Sequence, residues 1–240
     1  MSEKSIFYFD RPGPANTDKT LEAGIKRVLD LKIGYLVVPS ITGRTALKAS
    51  EKVRELGEKK KLDVVCVTFR AGRAWKIKDE PPSKHWKEIP DLKERWEEWK
   101  EEGLEQVTFD KDIEKRLMEM DVPIVRSTDL GASIEASMEK DLGVSTNKKI
   151  LKETLYLFSP GLKVSVLTSL MAADAGEIPT DEEVISFGGI EQGVDTAIVI
   201  KPAYSDKVFS TTEGLEIREI ICKPRSMKGK SGDYSGRGWD

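Results

Sequence analysis

Two apolar runs of strand length, with a helix-length pattern between them, constrain this chain more than any other feature. Tyr35-Leu36-Val37-Val38 leads into Pro39-Ser40-Ile41-Thr42-Gly43-Arg44-Thr45, a helical pattern follows from Ala46 to Leu56, and Leu62 to Thr68 is the second run. Strand, helix, strand in this rhythm predicts parallel pairing through a right-handed crossover. Both strands then end on one edge of the sheet, where open α/β sheets place their ligands.

The turn after the first strand carries residues suited to an anion. Ser40, Thr42 and Thr45 offer hydroxyls, Gly43 allows a close backbone approach, and Arg44 brings a guanidinium for a charge-assisted contact. The free N–H groups and positive dipole end of a helix start would complete a phosphate site. The same hydroxyls are also ordinary helix caps, which need no ligand. The glycine and lysine spacing of a Walker A loop is missing, and so is a Gly-x-Gly-x-x-Gly. Taken alone, these residues leave capping and phosphate binding both open.

The remaining pattern extends the α/β reading. Ile6 to Phe9 predicts a short strand stopped by Arg11-Pro12-Gly13-Pro14. Asn16 or Thr17 then caps a helix from Asp18 to about Leu31, with Leu21, Ile25, Val28 and Leu29 on its buried face. These two polar residues are either a cap or a second set of donors at the pocket rim. Further helices are expected over Asp112–Met120, Gly131–Leu142, Lys148–Phe158 and Lys163–Ala173, with Ile134, Met138 and Leu142 sharing one side of the second. Further strands are expected at Pro123–Arg126, at Val184–Phe187 (broken by Gly188-Gly189), along Ala197–Ile200, and at Leu215–Cys222 near a sheet edge. Thr68, Asp195 and Thr196 stand where polar groups could reach a ligand. Asp129, Asp174 and Asp195 are the acids available for proton transfer, and no pair of them has a spacing that demands catalysis. Asp174 reads as well as a polar helix end.

Ala71 to Glu105 differs in character, being rich in charge and proline and carrying Trp75, Trp86, Trp96 and Trp99. Asp91 and Glu94 have capping-box spacing, and Leu92, Trp96 and Trp99 fall on one helical face. Such an insertion packs on its own domain, covers a pocket, or contacts another subunit. An aromatic stripe at helical spacing favours the first.

Composition sets the outer limits. With 240 residues and 38% hydrophobic content, the chain can bury one full core over residues 1–225. Residues 226–240, rich in Gly, Ser and Lys, are expected to form a mobile tail. A net charge of -3 from 39 basic and 42 acidic residues supplies no cationic field for nucleic acid. The start shows no signal-peptide pattern and no apolar run is long enough to span a bilayer, so a cytoplasmic protein away from membranes is expected. Cys66 and Cys222 each sit inside an apolar run, as buried reduced thiols do. The single histidine, His85, excludes a multi-histidine zinc site and leaves little room for a serine or cysteine triad.

Several segments in order resemble a family of small, mostly archaeal proteins related to the C-terminal α/β domain of pyruvate kinase. They are Tyr8-Phe9 through Asn16-Thr17, Ser40 to Ala46, Gly161 with Lys163-Val164, Met171 to Gly176, Gly193 to Ala197, and Glu219 to Arg225. The resemblance implies a three-layer α/β/α fold with a mostly parallel sheet. In pyruvate kinase the loop similar to Ser40–Thr45 holds a phosphate of the allosteric effector, and the barrel that carries the kinase reaction has no counterpart here. Members of the small family are associated with bound flavin mononucleotide, so the resemblance implies a flavin phosphate at Ser40, Thr42, Gly43, Arg44 and Thr45. Asn16, Thr17, Thr68, Asp195 and Thr196 become candidate rim contacts, and Phe69 or Trp75 a candidate ring partner. Two departures stand out: Ser127-Thr128-Asp129 where the family shows Thr-His, and the longer Trp-rich insertion. Three classes follow, namely a binder of flavin mononucleotide or another phosphorylated metabolite, an enzyme acting with or on that ligand, and a regulatory or scaffolding subunit. A homo-oligomeric contact is compatible with each.

Overall fold

The computed structural model describes residues 4–57, 62–78, 80–81, 83–127, 134–226, 228–229 and 232–233. In chain order the main elements begin with β1 (Phe7–Phe9), α1 (Thr17–Leu31), β2 (Tyr35–Pro39), α2 (Arg44–Arg54) and β3 (Asp63–Phe69). The insertion follows as β4 (Trp75–Lys76), α3 (His85–Glu88), α4 (Pro90–Glu101) and β5 (Gln106–Val107). Next come α5 (Lys111–Glu119), β6 (Ile124–Ser127), α6 (Ile134–Leu142), α7 (Asn147–Tyr156) and α8 (Pro160–Asp174). The chain then runs through β7 (Val184–Ile190), β8 (Gln192–Lys201) and β9 (Glu216–Pro224). A small ribbon pairs β10 (Lys228–Gly229) with β11 (Gly232–Asp233), and the rest of the expected tail lies outside the described residues.

The central sheet has seven strands among the described residues, in the order β1-β9-β8-β7-β2-β3-β6. All pairings are parallel except β7 with β8 and β8 with β9, so β8 alone runs against the others. The expected β2 to β3 crossover is present, with Leu36 opposite Val64 and Val38 opposite Cys66. Alternate side chains enter opposite layers, as the two-residue strand period requires. Leu36, Val38, Val64 and Cys66 join Leu21, Ile25, Val28 and Leu47 in one cluster, while Val37, Val65 and Val67 join Leu162, Val166 and Leu170 in the other. Thus α1, α2 and α5 cover one face and α7 and α8 the other, giving an α/β fold with a mostly parallel sheet between helical layers.

The helices differ in how they meet water. In α1 the expected face is buried at Leu21, Ile25 and Val28, but Leu29 is exposed. A fourth residue on that stripe has rotated past the edge of the contact. In α8 every residue from Pro160 to Ala173 except Val164 is buried, so a helix expected from Lys163 starts three residues earlier with Pro160 as its first residue. Proline suits that place because its missing N–H has no partner to lose. Ile134 and Leu142, expected to share one side of α6, are both exposed.

Close backbone contact seats α8 on the sheet. A Cβ at Gly188 would fall 1.9 Å from the Gly161 carbonyl oxygen, and one at Gly161 would fall 2.1 Å from Thr196 Oγ1. Gly188 and Gly189 therefore do not break β7. The strand runs on to Ile190 with a register shift between Gly188 and Ile190, and its glycines leave room for the helix start. The last strand of the central sheet in chain order, β9, lies one place in from the edge, since β1 covers its outer side.

The insertion forms a satellite core of Trp86, Ile89, Leu92, Trp96 and Trp99 with Ile190 from the end of β7. Its rings contact one another, Trp75 and Trp86 edge-on at 5.1 Å and Trp86 and Trp96 at 5.4 Å. Asp91 does not head a capping box, because α4 begins at Pro90; its carboxylate instead accepts the Ala15 N–H at 3.2 Å. Cys66 and Cys222 are free and buried, and burial pushes both thiols up to about 12.

Gly188→Ala should lower stability by about 2 to 3 kcal/mol, since backbone rather than a flexible side chain opposes the added methyl. Gly34→Ala, with nothing within 4 Å of the new Cβ, is the control, and denaturant unfolding of both compares them.

Candidate functional site

A concave site lies at the C-terminal edge of the sheet, where β2 stands between β3 and β7 and the crossovers depart to opposite faces. That is a topological switch point. The start of α2 reaches it from one face through Thr42, Arg44 and Thr45, and the start of α8 from the other through Pro160, Lys163 and Val164. Val67, Phe69, Tyr156 and Ile190 supply apolar wall, and the β7 to β8 turn closes the side through Glu191 and Gln192.

The expected phosphate turn divides into structural and available parts. Ser40 Oγ accepts the Thr45 N–H at 3.1 Å, so the capping reading holds for Ser40. Gly43 adopts φ 86°, and a Cβ there would lie 2.6 Å from Ile113 Cγ2. Glycine is needed there for a left-handed turn packed on α5, and Gly43 is not among the residues that line the pocket. The Thr42 and Thr45 hydroxyls and the exposed Arg44 guanidinium border the pocket. None of the three has a side-chain hydrogen bond among the described residues.

The expected rim residues Asn16, Thr17, Asp195, Thr196 and Thr68 do not line the pocket. Asn16 Nδ2 donates to the Arg11 carbonyl at 2.8 Å and closes its own loop. Thr17 Oγ1 donates to the Pro14 carbonyl and accepts the Val194 N–H at 3.1 Å. Thr68 is a buried residue of β3, whose neighbours Val67 and Phe69 face the pocket instead. Asp195, 2% exposed, accepts the Gly13 N–H at 3.0 Å and the Thr196 hydroxyl at 3.0 Å. Thr196 Oγ1 lies 3.3 Å from Ser159 Oγ, which in turn accepts the Leu162 N–H and caps α8. These residues brace the helix start from below.

Of the other acids, Asp174 accepts hydrogen bonds from Ser205 at the far end of α8, and Asp129 lies outside the described residues. Phe69 does line the pocket and carries the Arg73 guanidinium 4.2 Å from its ring centroid. Trp75 belongs to the tryptophan cluster.

Two charged groups in the pocket were not among the sequence candidates. Lys163 is 6% exposed, its ammonium 5.2 Å from the Tyr156 ring centroid, with no hydrogen bond or ion pair among the described residues. Burial depresses it to about 8, opposed only by the charge of Glu191. The sequence did hold a signal, since Lys163 is the one charge between Ser159 and Ala173 in an otherwise apolar or small-residue run. Glu191 has its side chain 5% exposed and φ 57° at the turn between β7 and β8. For a residue with a Cβ that conformation costs on the order of 1 kcal/mol. Its Oε1 accepts the Ser83 hydroxyl at 2.7 Å and lies 3.5 Å from His85 Nδ1. His85 also lines the pocket, and its Nε2 is buried without a hydrogen-bond partner among the described residues.

No protein-family model matches the chain. Among the described residues no group of three metal-ligating side chains comes together, and no helix is long and apolar enough to cross a membrane.

Asp195 generates a pH prediction. Burial raises its carboxyl from 3.8 to about 6, only partly offset by the bonds from Gly13 and Thr196. The folded protein therefore binds this proton more tightly than the unfolded chain, and the group's contribution to stability falls as pH rises from about 4 to 6. Asp195→Asn should gain on the wild type by on the order of 3 kcal/mol between acid and neutral pH. Urea unfolding of both proteins at several pH values checks this, and parallel profiles would refute it.

Proposed function

We propose that the protein binds a phosphate-bearing small molecule in this pocket, with flavin mononucleotide the leading candidate through the family resemblance, and without pyruvate kinase chemistry. The observation that carries the reading is Lys163, a buried ammonium with no ion-pair partner among the described residues, lining the same pocket as the start of α2. An unpaired buried cation is costly, and an anion in the pocket would relieve that cost. The N–H groups at the start of α2, the Thr42 and Thr45 hydroxyls and Arg44 add donors of the right kind. Phe69 and Tyr156 offer aromatic surface for a planar group beyond the phosphate.

Visible absorption of the freshly purified protein, with mass spectrometry of any small molecule released on denaturation, tests the flavin assignment. A stoichiometric flavin supports it. A colourless protein that also ignores added flavin mononucleotide removes it and leaves other phosphate esters. Lys163→Met should weaken binding of a phosphate ester by about 100-fold and Arg44→Ala by about 10-fold, because a charged hydrogen-bond donor is worth more to an anion in a buried site than at an exposed rim. Unchanged affinity in Lys163→Met, measured by calorimetry, would overturn the phosphate assignment.

The lysine also sets a pH window. A phosphate monoester reaches its dianion above about pH 6, and Lys163 of the free protein loses its proton as pH passes about 8. Affinity should therefore be greatest between these limits. The alkaline decline should be absent from Lys163→Met.

A further inference from the structure

The pocket that is cationic on one side holds a buried carboxylate on the other, and that carboxylate is held with some care. Glu191 sits at a turn in a backbone conformation that glycine would adopt more easily. Ser83 donates to its Oε1 and His85 stands beside the same oxygen, both from the insertion. Oε2 takes no hydrogen bond from the described residues and is not closed off from solvent, and the side chain lines this pocket as well as the neighbouring cavity bordered by Arg73, Trp75 and Ser83. A carboxylate oxygen in such a place is an acceptor waiting for a donor.

The phosphate cannot be that partner, since like charges would repel. The donor must belong to another part of the same ligand. A second ammonium is disfavoured, because Lys163 and Arg44 border the same cavity and Arg73 lies within electrostatic reach of Glu191. A hydroxyl donates without adding charge.

Resting on the phosphate reading above, we propose that Glu191, oriented by Ser83 and His85, accepts a hydrogen bond from a hydroxyl of the ligand, and that the ligand class is therefore the phosphate monoesters of polyhydroxylated molecules. Glu191 is a specificity residue in this scheme. Lys163 and the start of α2 hold the phosphate, and the insertion contributes to selection by fixing the carboxylate that reads the rest of the molecule. A flavin nucleotide, whose phosphate ends a chain of hydroxyl-bearing carbons, falls within the class, as do sugar and polyol phosphates.

Calorimetric titration with inorganic phosphate, n-propyl phosphate and glycerol 3-phosphate tests this, since the last two are alike in length and differ in hydroxyl groups. Wild-type protein should prefer glycerol 3-phosphate over n-propyl phosphate by about 10-fold or more. Glu191→Gln, which keeps the shape and an acceptor for Ser83, should cut that preference to about 2-fold or less and leave n-propyl phosphate binding as tight as before or tighter. Ser83→Ala, which frees the carboxylate without removing it, should lower the preference partway and serves if Glu191→Gln fails to fold. Equal affinity of the wild type for the two esters, or an undiminished preference in the variant that folds, overturns the role of Glu191 while the phosphate reading stands. If none of the three anions binds wild-type protein, the phosphate reading fails and this inference fails with it.

Discussion

The start of α8 rests on β7 backbone to backbone and on β8 through the Thr196 and Asp195 side chains, and the pocket depends on that contact. Gly161 and Gly188 meet backbone to backbone, and a methyl group at either would push the helix off the sheet. Because the helix is held so close, its fourth residue, Lys163, is carried into the cavity at the end of β2. The chain from Gly13 through Asp195 and Thr196 to Ser159 fixes the same helix start from below. Burial of a charge next to the sheet edge is thus a result of glycine packing two residues away.

Much of the fold was legible in the residues. The β2, α2, β3 unit could be read because its strands are buried on both faces and its apolar residues run unbroken, which only a covered parallel sheet allows. The tryptophan stripe of α4 packed inward as its spacing indicated. What misled was polarity at helix starts and strand ends. Asn16, Thr17, Asp195 and Thr196 are polar because buried backbone and a helix cap need them, and a single sequence gives a polar residue the same appearance whether it serves the chain or a ligand.

The residues that shape the cavity were hard to see for the opposite reason. Glu191 reads as an ordinary charged turn until the turn is found to point its side chain inward, and His85 and Ser83 reach it only through the folding of the insertion. The site is assembled from segments near residues 42, 85, 163 and 191, and no local motif spans them. Lys163 was no candidate either, although one cation in a helix otherwise fit for burial has no surface to reach.

The insertion has a consequence for how the molecule could be watched. Trp75, Trp86, Trp96 and Trp99, four of the five tryptophans, pack in one cluster that includes Ile190. Residue 190 is followed directly by Glu191, and Ser83 and His85 tie that side chain to the segment that carries the rings. Any shift of the carboxylate is therefore passed to a nearly isolated group of indoles. The protein carries its own optical gauge of the pocket wall, needing no added dye and distinct from any absorption by what the pocket holds.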